Sequence, residues 1–189
     1  MTELKRCPWA QSSPLNMEYH DTKWGIPCHD ERELFKMLIL EGQQAGLSWL
    51  TILRKTDSLS AAYDNFDPEK MAKYGERKIA SLMENPGVIR NRLKIMTAVT
   101  NARAYLALKN EHGSLDKFLW SYVDNRPIVN NWKPEEKLPA STPLSDTISR
   151  ELKKRGFKFV GSTIIYSFLQ AVGLINDHVA GCAFKKADS

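Results

Sequence analysis

The sequence is poor in cysteine and has no long apolar run. Its three cysteines are an odd number among 189 residues, which argues against a disulfide framework and predicts a reducing, cytoplasmic environment. No stretch approaches the roughly 20 apolar residues of a membrane-spanning helix, so no membrane association is expected. The first residues lack the apolar segment of a secretory signal. The sequence also lacks internal repeats, which argues against a repeat architecture.

What the sequence contains is the composition of an ordinary folded domain. Hydrophobic residues make up 42% and charged residues 26% of the chain, which is typical of a globular protein. Its length predicts one domain over 1–189 with a sizeable core. The net charge of +5 permits an anionic partner without requiring one. Nothing in the sequence calls for more than a monomer.

The apolar pattern is helical along most of the chain. Ser48, Asp67 and Ser145 precede helical periodicity, and such side chains accept hydrogen bonds from the first free N–H groups of a helix. A long helix is expected to begin near Asn91. The segment 124–143 is polar, holds four prolines and is predicted to be a loop. Because strand-like alternation never persists, the predicted fold class is all-α.

Two Cys/His pairs at opposite ends of the sequence form one Cys₂His₂ set. Cys7 and His20 stand near the start, and His178 and Cys182 near the end. Four such side chains suit a closed tetrahedral Zn²⁺ site, which would join the N- and C-terminal segments. The alternative is surface histidines and small buried cysteines. The spacing leaves both open, because the long gap matches no zinc-finger pattern.

One carboxylate, Glu41, stands in an apolar stretch that ends in a turn beside an aromatic residue. Polar amides follow it, and then 46–48 breaks the helix next to Trp49. A carboxylate, amides and an aromatic face suit a pocket for a flat, cationic ring. Leu47, exposed at the turn, would act as a wedge. The alternative is a Glu41 on the polar face of its helix, the usual place for a glutamate.

Tyr19 directly precedes His20 in the sequence. If His20 binds a metal ion, Tyr19 is held in a fixed position. Otherwise Tyr19 and Trp24 are ordinary core aromatics, which is the more common outcome.

Gly156 and Gly161 frame a short link between two predicted helices. Glycine at both ends allows positive φ angles and a tight turn. The following helix, beginning at Ser162, would point free N–H groups at an anion. Basic side chains at 153–155 and Lys158 surround the link, so backbone and side chains together would bind a DNA phosphate. An ordinary helical hairpin with solvated lysines is the alternative.

Five segments of this chain, at 7–9, 18–25, 40–49, 154–161 and 176–182, share the motifs of a known family. In these segments the chain resembles the bacterial 3-methyladenine-DNA glycosylase I family of the helix-hairpin-helix superfamily. The resemblance covers nearly the whole chain in order, and 40–49 is very specific. It implies an all-α fold with a helix-hairpin-helix at about 145–173 and a zinc clasp built from 7–20 and 178–182.

The resemblance also implies an activity. Enzymes of this kind flip 3-methyladenine out of alkylated double-stranded DNA and hydrolyse its N-glycosidic bond, leaving an abasic site and free 3-methyladenine. No lysine of this chain stands out as a Schiff-base nucleophile, so we expect no cleavage of the strand. Glu41 and Tyr19 carry over as catalytic residues, and both bind the base together with Trp49. The remaining residues carried over are DNA contacts at Gly46, Leu47, Gly156, Lys158, Gly161, Ser162 and Thr163, and ligands of one structural Zn²⁺ at Cys7, His20, His178 and Cys182.

Two positions depart from this pattern or stay open. Asn16 replaces a pocket-edge aromatic of some members, so a secondary base contact is not carried over. Asp177 lies roughly where the superfamily has a catalytic aspartate, but it also adjoins His178 and would suit support of the metal. From the residues alone, two other classes stay open: a zinc-clasped DNA-binding module without chemistry, and a metalloenzyme, which would need an open coordination position.

Overall fold

Nine α-helices carry most of residues 4–186, the part of the chain that the computed structural model describes. They are α1 (Pro14–Thr22), α2 (Glu31–Gln44), α3 (Trp49–Ala62), α4 (Pro68–Met71), α5 (Glu76–Glu84), α6 (Arg92–His112), α7 (Leu115–Trp120), α8 (Pro143–Lys154) and α9 (Ser162–Ala171). Short 3₁₀ helices lie at Pro8–Ser12, Asp64–Phe66 and Ser121–Val123. The prediction of a mainly helical fold is confirmed.

Capping side chains explain where several helices begin. Asp67 accepts hydrogen bonds from the backbone N–H groups of residues 69 and 70, and Asn91 caps α6 as predicted. The predicted cap at Ser145 is wrong. Thr142 caps α8 instead, and Ser145 is its capping-box partner, because each side chain bonds the backbone N–H of the other. Proline in the first turn of α8 fits this earlier start.

Helix α2 lies at the centre of the core. It packs against α3, α6, α7 and α9, while α8 and α9 pack on each other as a helical pair. The main core includes the fully buried side chains of Phe35, Tyr63 and Trp120. A smaller cluster gathers around Cys7 and Cys182, and Trp49 packs against both clusters. The candidate site lies where the two meet.

The loop predicted at 124–143 is tied to the C-terminal segment. Within it, β1 (Ile128–Val129) pairs in parallel with β2 (Ile175–Asn176), with Ile128 opposite Ile175. These two-residue strands are the only sheet in the described part of the chain. No helix between residues 4 and 186 has the length and apolarity to cross a membrane.

Candidate functional site: an aromatic pocket and a Cys/His cluster

An aromatic pocket of about 220 Å³ opens between α1, α2, α3 and α9. Its lining residues are Trp9, Tyr19, Trp24, Glu41, Gln44, Trp49, Leu138, Ser167 and Gln170. The pocket brings together the three residues that the sequence singled out for base binding. Flat aromatic walls around a single carboxylate suit a planar, positively charged ligand.

Glu41 is buried on the last turns of α2, with 3% of its surface exposed. The alternative of a solvent-exposed Glu41 is therefore wrong. No hydrogen bond to its side chain occurs among residues 4–186, and burial raises the pKa of this carboxyl to about 8. At neutral pH the group is therefore mainly protonated. An incoming cation would favour its ionised form, because opposite charges in a buried site attract strongly.

Tyr19 and Trp49 form one wall of the pocket beside this carboxyl. Their ring centroids are 5.2 Å apart and the planes are tilted by 51°. Burial, with a smaller contribution from Glu41, raises the pKa of Tyr19 well above its usual value, so the phenol stays a neutral donor. The indole N–H of Trp49 is buried and has no partner within the described residues.

The two glutamine side chains that follow Glu41 point to different sides of α2. Gln44 lines the pocket, and its Nε2 donates to the backbone oxygen of Leu47 at 3.1 Å. Gln43 turns away from the pocket towards α6, where its Nε2 donates to the backbone oxygen of Lys94 at 3.1 Å. Only one of the two glutamines is therefore part of the site.

Sequence reasoning missed several lining residues, notably Ser167 and Gln170 on α9. They are three residues apart, so they share one face of the helix. Both are polar within an otherwise mainly apolar helix, and this was the available signal. Asn16 does not line the pocket. Its Nδ2 donates to the hydroxyl of Ser12 at 2.6 Å.

Asp177 is fixed by four hydrogen bonds. Its carboxylate accepts from the side chains of Asn130, Trp132, Tyr166 and Gln170, at 2.5 to 2.8 Å. None of these partners is a residue of the Cys/His cluster, so these hydrogen bonds do not favour the support of a metal ion, one of the two roles that the sequence left open. Instead Asp177 joins α9 to the 128–132 segment, and through Gln170 it steadies one wall of the pocket.

The four Cys/His residues of the two chain ends meet in one buried cluster. Their ligand atoms all lie within 4.8 Å of one another. The Nδ1 atom of His178 lies 3.6 Å from Sγ of Cys7 and 3.4 Å from Sγ of Cys182, and Nε2 of His20 lies 3.5 Å from Sγ of Cys182. Zinc bonds of about 2.3 Å to sulfur and 2.0 Å to nitrogen place tetrahedral ligands roughly 3.3–3.8 Å apart. The cluster could therefore hold a metal ion.

The other nitrogen of each histidine is oriented by a partner. Nδ1 of His20 lies 2.8 Å from the carboxylate of Asp21, which is itself paired with Arg6 at 2.8 Å. Nε2 of His178 lies 3.1 Å from the backbone oxygen of Trp24. Such outer partners fix the ring orientation of metal-binding histidines. The alternative of surface histidines is wrong, because both rings are buried.

Leu47 stands at the tip of the turn between α2 and α3. It is 37% exposed, as the wedge hypothesis requires. Gly46 before it has a φ of +75°, which a glycine adopts without strain. Ser48 after it caps α3 by accepting from the N–H of Thr51. The turn therefore presents an apolar side chain beside the pocket on a defined backbone.

The link between α8 and α9 differs from its prediction in one respect. Gly156 has the expected positive φ of +88°, but Gly161 is extended, with φ of −63°. The second positive φ belongs to Phe159, at +52°. No side chain caps the start of α9, and the space above Gly161 is open. The first N–H groups of α9 therefore have no capping side chain within the described residues.

The basic cluster at this link is smaller than its sequence suggests. Arg155 pairs with Glu111 at 2.7 Å and with Glu151 at 2.9 Å, and Lys154 pairs with Glu151 at 2.7 Å. These charges are largely compensated within the protein. Lys158 is exposed on the link itself.

Three comparisons agree that the chain is a DNA glycosylase. A family model described as methyladenine glycosylase matches residues 9–186, and the chain belongs to this family. It is 48% identical to DNA-3-methyladenine glycosylase 1 of Escherichia coli K12 over 179 residues, which cover 95% of this chain and 96% of that protein. The resemblance found in the sequence is confirmed.

The structural comparison gives the same result. A 3-methyladenine DNA glycosylase I structure from Staphylococcus aureus, solved to explain 3-methyladenine recognition, is 37% identical, with a TM-score of 0.93 over 98% of this chain and 99% of that one. A substituted 3-methyladenine DNA glycosylase I in complex with 3-methyladenine is also 37% identical, with a TM-score of 0.93 over 97% and 99%.

Proposed function

We propose that this protein removes 3-methyladenine from alkylated double-stranded DNA by hydrolysing the N-glycosidic bond. The observation that carries the proposal is Glu41, a buried carboxyl without a hydrogen-bond partner in the described residues, facing an aromatic pocket. A protein that only grips DNA gains nothing from burying such a group, which costs stability. The named activity of the relatives supports the same conclusion.

The chemistry follows from the charge of the lesion. While attached to deoxyribose, 3-methyladenine is cationic, so it is already an activated leaving group. When the N9–C1′ bond breaks, its electron pair moves to the base and neutralises it. Water then adds to C1′ and loses a proton, leaving an abasic site. The enzyme must therefore extract the base and stabilise its charge, and a strong general acid is not required.

Three side chains divide the recognition of the base. Trp49 stacks on the flipped ring, and a desolvated cation over an aromatic face gains up to about 2 kcal/mol. Ionised Glu41 offsets the charge of the base and accepts hydrogen bonds from its edge. Tyr19 adds a directional contact as a neutral phenol. Neutral adenine would not drive the ionisation of Glu41, so the buried carboxyl discriminates between the two bases.

The turn between α2 and α3 and the link between α8 and α9 would contact the DNA itself. Leu47, carried on the turn that begins at Gly46, would fill the gap left by the flipped nucleotide. The start of α9, with Gly161, Ser162 and Thr163, would bind a backbone phosphate through its free N–H groups. Lys158 adds positive charge at the same link. Gly156 shapes that link through its positive φ.

We further propose that the Cys/His cluster holds one structural Zn²⁺ ion. The donor set, the ligand spacing and the oriented histidines support a closed tetrahedral site. Burial, with smaller contributions from the neighbouring Cys182, raises the pKa of the Cys7 thiol, so a bound cation is what would stabilise its thiolate. When bound, the ion would tie the two chain ends together. His20 then holds the neighbouring Tyr19 against the pocket.

Chromatography of released bases tests the proposed activity. Purified protein incubated with methylated duplex DNA should release 3-methyladenine and no detectable unmodified adenine. No lysine lines the pocket, so borohydride added during the reaction should trap no covalent protein–DNA adduct. A protein that binds abasic DNA but releases no base would be a binding module, and the proposal would fail.

The pH dependence of excision provides a second prediction. A cationic base is expected to bind the form of the enzyme in which Glu41 is ionised. With the pKa of Glu41 at about 8, kcat/KM should rise by nearly tenfold per pH unit from pH 6, reach half its maximum near pH 8 and level off above it. Tyr19, the other titratable group facing this carboxyl, stays protonated over that range.

Single-turnover rates at several enzyme concentrations between pH 6 and 9 would give this profile. Glu41→Gln should flatten it, because glutamine does not titrate. A wild-type profile that is flat or falls with pH over this interval would contradict an ionising Glu41.

A further inference from the structure

Helix α6 buries two polar side chains that the proposed chemistry does not use. Lys94 is 6% exposed and Asn101 is 2% exposed. They are seven residues apart, so they lie on the same face, two turns along the helix. Burying a lysine is costly unless its ammonium is well satisfied. Each side chain bonds the backbone of a different loop, and these are the two loops proposed to contact DNA.

Lys94 holds the turn that carries Leu47. Its Nζ donates to the backbone oxygens of Gln43 at 2.7 Å and Ala45 at 2.6 Å, at the C-terminus of α2. A cation there also complements the negative end of the helix dipole. In return, the Gln43 side chain donates to the backbone oxygen of Lys94. This reciprocal pair fixes the last turn of α2 and the residue before Gly46 against α6.

Asn101 holds the link between α8 and α9. Its Nδ2 donates to the backbone oxygen of Lys158 at 2.9 Å, and its Oδ1 accepts from the Lys158 N–H at 2.8 Å. On the other side, the hydroxyl of Ser149 donates to the backbone oxygen of Val160 at 2.6 Å. These bonds flank Phe159, whose positive φ is unfavourable for a bulky residue. The link is therefore held in its conformation from two sides.

The two loops also meet directly. A Cβ placed on Gly42 would lie 3.4 Å from Cβ of Phe159, so α2 and the link are in close contact one residue after Glu41. The small cleft at this contact is also lined by Lys94 and Asn101. A displacement of the link would therefore press on the helix that carries Glu41.

We propose that Lys94 and Asn101 are positioning residues that hold the Leu47 turn and the α8–α9 link at a fixed separation on duplex DNA. This inference rests on the proposed function. The link would fix the phosphate backbone while Leu47 enters the base stack. A change in the distance between the link and the Leu47 turn would therefore misplace the flipped base. A misplacement of about 1 Å can cost about 100-fold in rate. Neither residue lines the pocket, so neither would contact the base.

The test uses Lys94→Met and Asn101→Ala, with exposed residues of the same helix as matched controls, Lys109→Met and Asn110→Ala. Two quantities are measured on each protein: the single-turnover excision rate on a duplex with one 3-methyladenine, and the Kd of free 3-methyladenine from quenching of tryptophan fluorescence. Lys94→Met and Asn101→Ala should each lose about 10- to 100-fold in excision rate. Their Kd for the free base should stay within about twofold of wild type, since the pocket residues are unchanged, and the controls should change neither quantity.

A third measurement separates positioning from general damage to the fold. Placing the lesion in a single-nucleotide bulge lowers the cost of extracting it, so the defect of Lys94→Met should shrink at least about tenfold on that substrate. Excision at the wild-type rate on ordinary duplex would overturn the inference, and so would a parallel loss of free-base binding. If Lys94→Met does not fold, the near-isosteric Asn101→Asp decides by the same criteria. Wild-type protein without excision would refute the proposed function itself, a distinguishable result.

Discussion

Glu41→Gln should lower the single-turnover rate of 3-methyladenine excision by about 100-fold. Glutamine keeps the shape of the side chain but removes the negative charge that offsets the cationic base. Removing one partner of a buried charge pair typically costs about 3–5 kcal/mol, and the lower end of this range corresponds to a loss on the order of 100-fold in rate. The rate is measured on a duplex with one lesion at pH 8, where wild-type Glu41 is about half ionised.

Glu33→Gln is the matched control for this variant. Glu33 lies on the first turn of the same helix and pairs with Lys36 at 3.1 Å, outside the pocket. The same chemical change there should leave the rate within about twofold, since surface pairs contribute little. Equal rates for Glu41→Gln and wild type would remove Glu41 from the mechanism.

Stability should move in the opposite direction from activity. The folded-state pKa of Glu41 is about 8 and its ordinary value is 4.5, so between these values the folded protein binds more protons than the unfolded chain. The free energy of unfolding therefore falls as pH rises, by up to about 1.4 kcal/mol per pH unit. Glu41→Gln should not show this fall in the free energy of unfolding, because glutamine does not titrate. Its thermal midpoint should exceed that of wild type at pH 8 and approach it near pH 4.5.

This pairing of effects distinguishes a lost catalytic group from a damaged fold. An inactive Glu41→Gln that also melts below wild type at pH 8 would point to misfolding. Melting curves of both proteins between pH 4.5 and 8 decide the matter, with Glu33→Gln as reference.

His178→Ala should cost the protein its bound zinc and much of its stability. With one ligand of four removed, the buried thiols of the cluster lose the cation that stabilises their ionised form. A loss of about 4 kcal/mol would be a fraction of the 10–16 kcal/mol found for structural zinc in small fingers. For a chain of this length it corresponds to a fall of about 8–16 °C in Tm. Metal analysis should give one zinc per wild-type chain and markedly less in the variant.

His29→Ala provides the control, because His29 is an exposed histidine that pairs with Asp116 at 2.7 Å, away from the cluster. It should retain both zinc and Tm. Excision by His178→Ala, measured well below its Tm, should fall less than that of Glu41→Gln, since the ligand set excludes the groups that touch the base. Wild-type protein purified without chelators and found to contain no metal would contradict the zinc proposal.

Much of the fold could be predicted because its signals are local. Asp67 followed by Pro68 marks a helix start through side-chain and ring geometry within a single turn, and Asn91 does the same for α6. Thr142 was missed although Pro143 follows it, because Ser145 offered a second cap three residues later. Competing caps within one turn are hard to rank from sequence, since both side chains do form hydrogen bonds there.

The parts that could not be predicted depend on contacts between distant elements. The positive φ of Phe159 is maintained by Asn101 and Ser149, which lie on two helices and bond the residues on either side of it. No local sequence pattern predicts this conformation. Arg155 looked like a free cation for DNA, yet Glu111, 44 positions away, neutralises it. The partners of Asp177 likewise come from two other segments, α9 and residues 130–132. For Glu41 and the Cys/His set, the residues alone left two readings each, because burial depends on tertiary packing.

The meeting of both ends of the chain in one place has a mechanical consequence. The backbone oxygen of Lys5 accepts from the N–H of Ala183 at 2.8 Å, and Cys7 and Cys182 meet in the same cluster. Tension applied through the two ends would therefore load these contacts first. The helices between them would carry no force until these contacts break. Under load, this small region would therefore be the first part of the structure to yield.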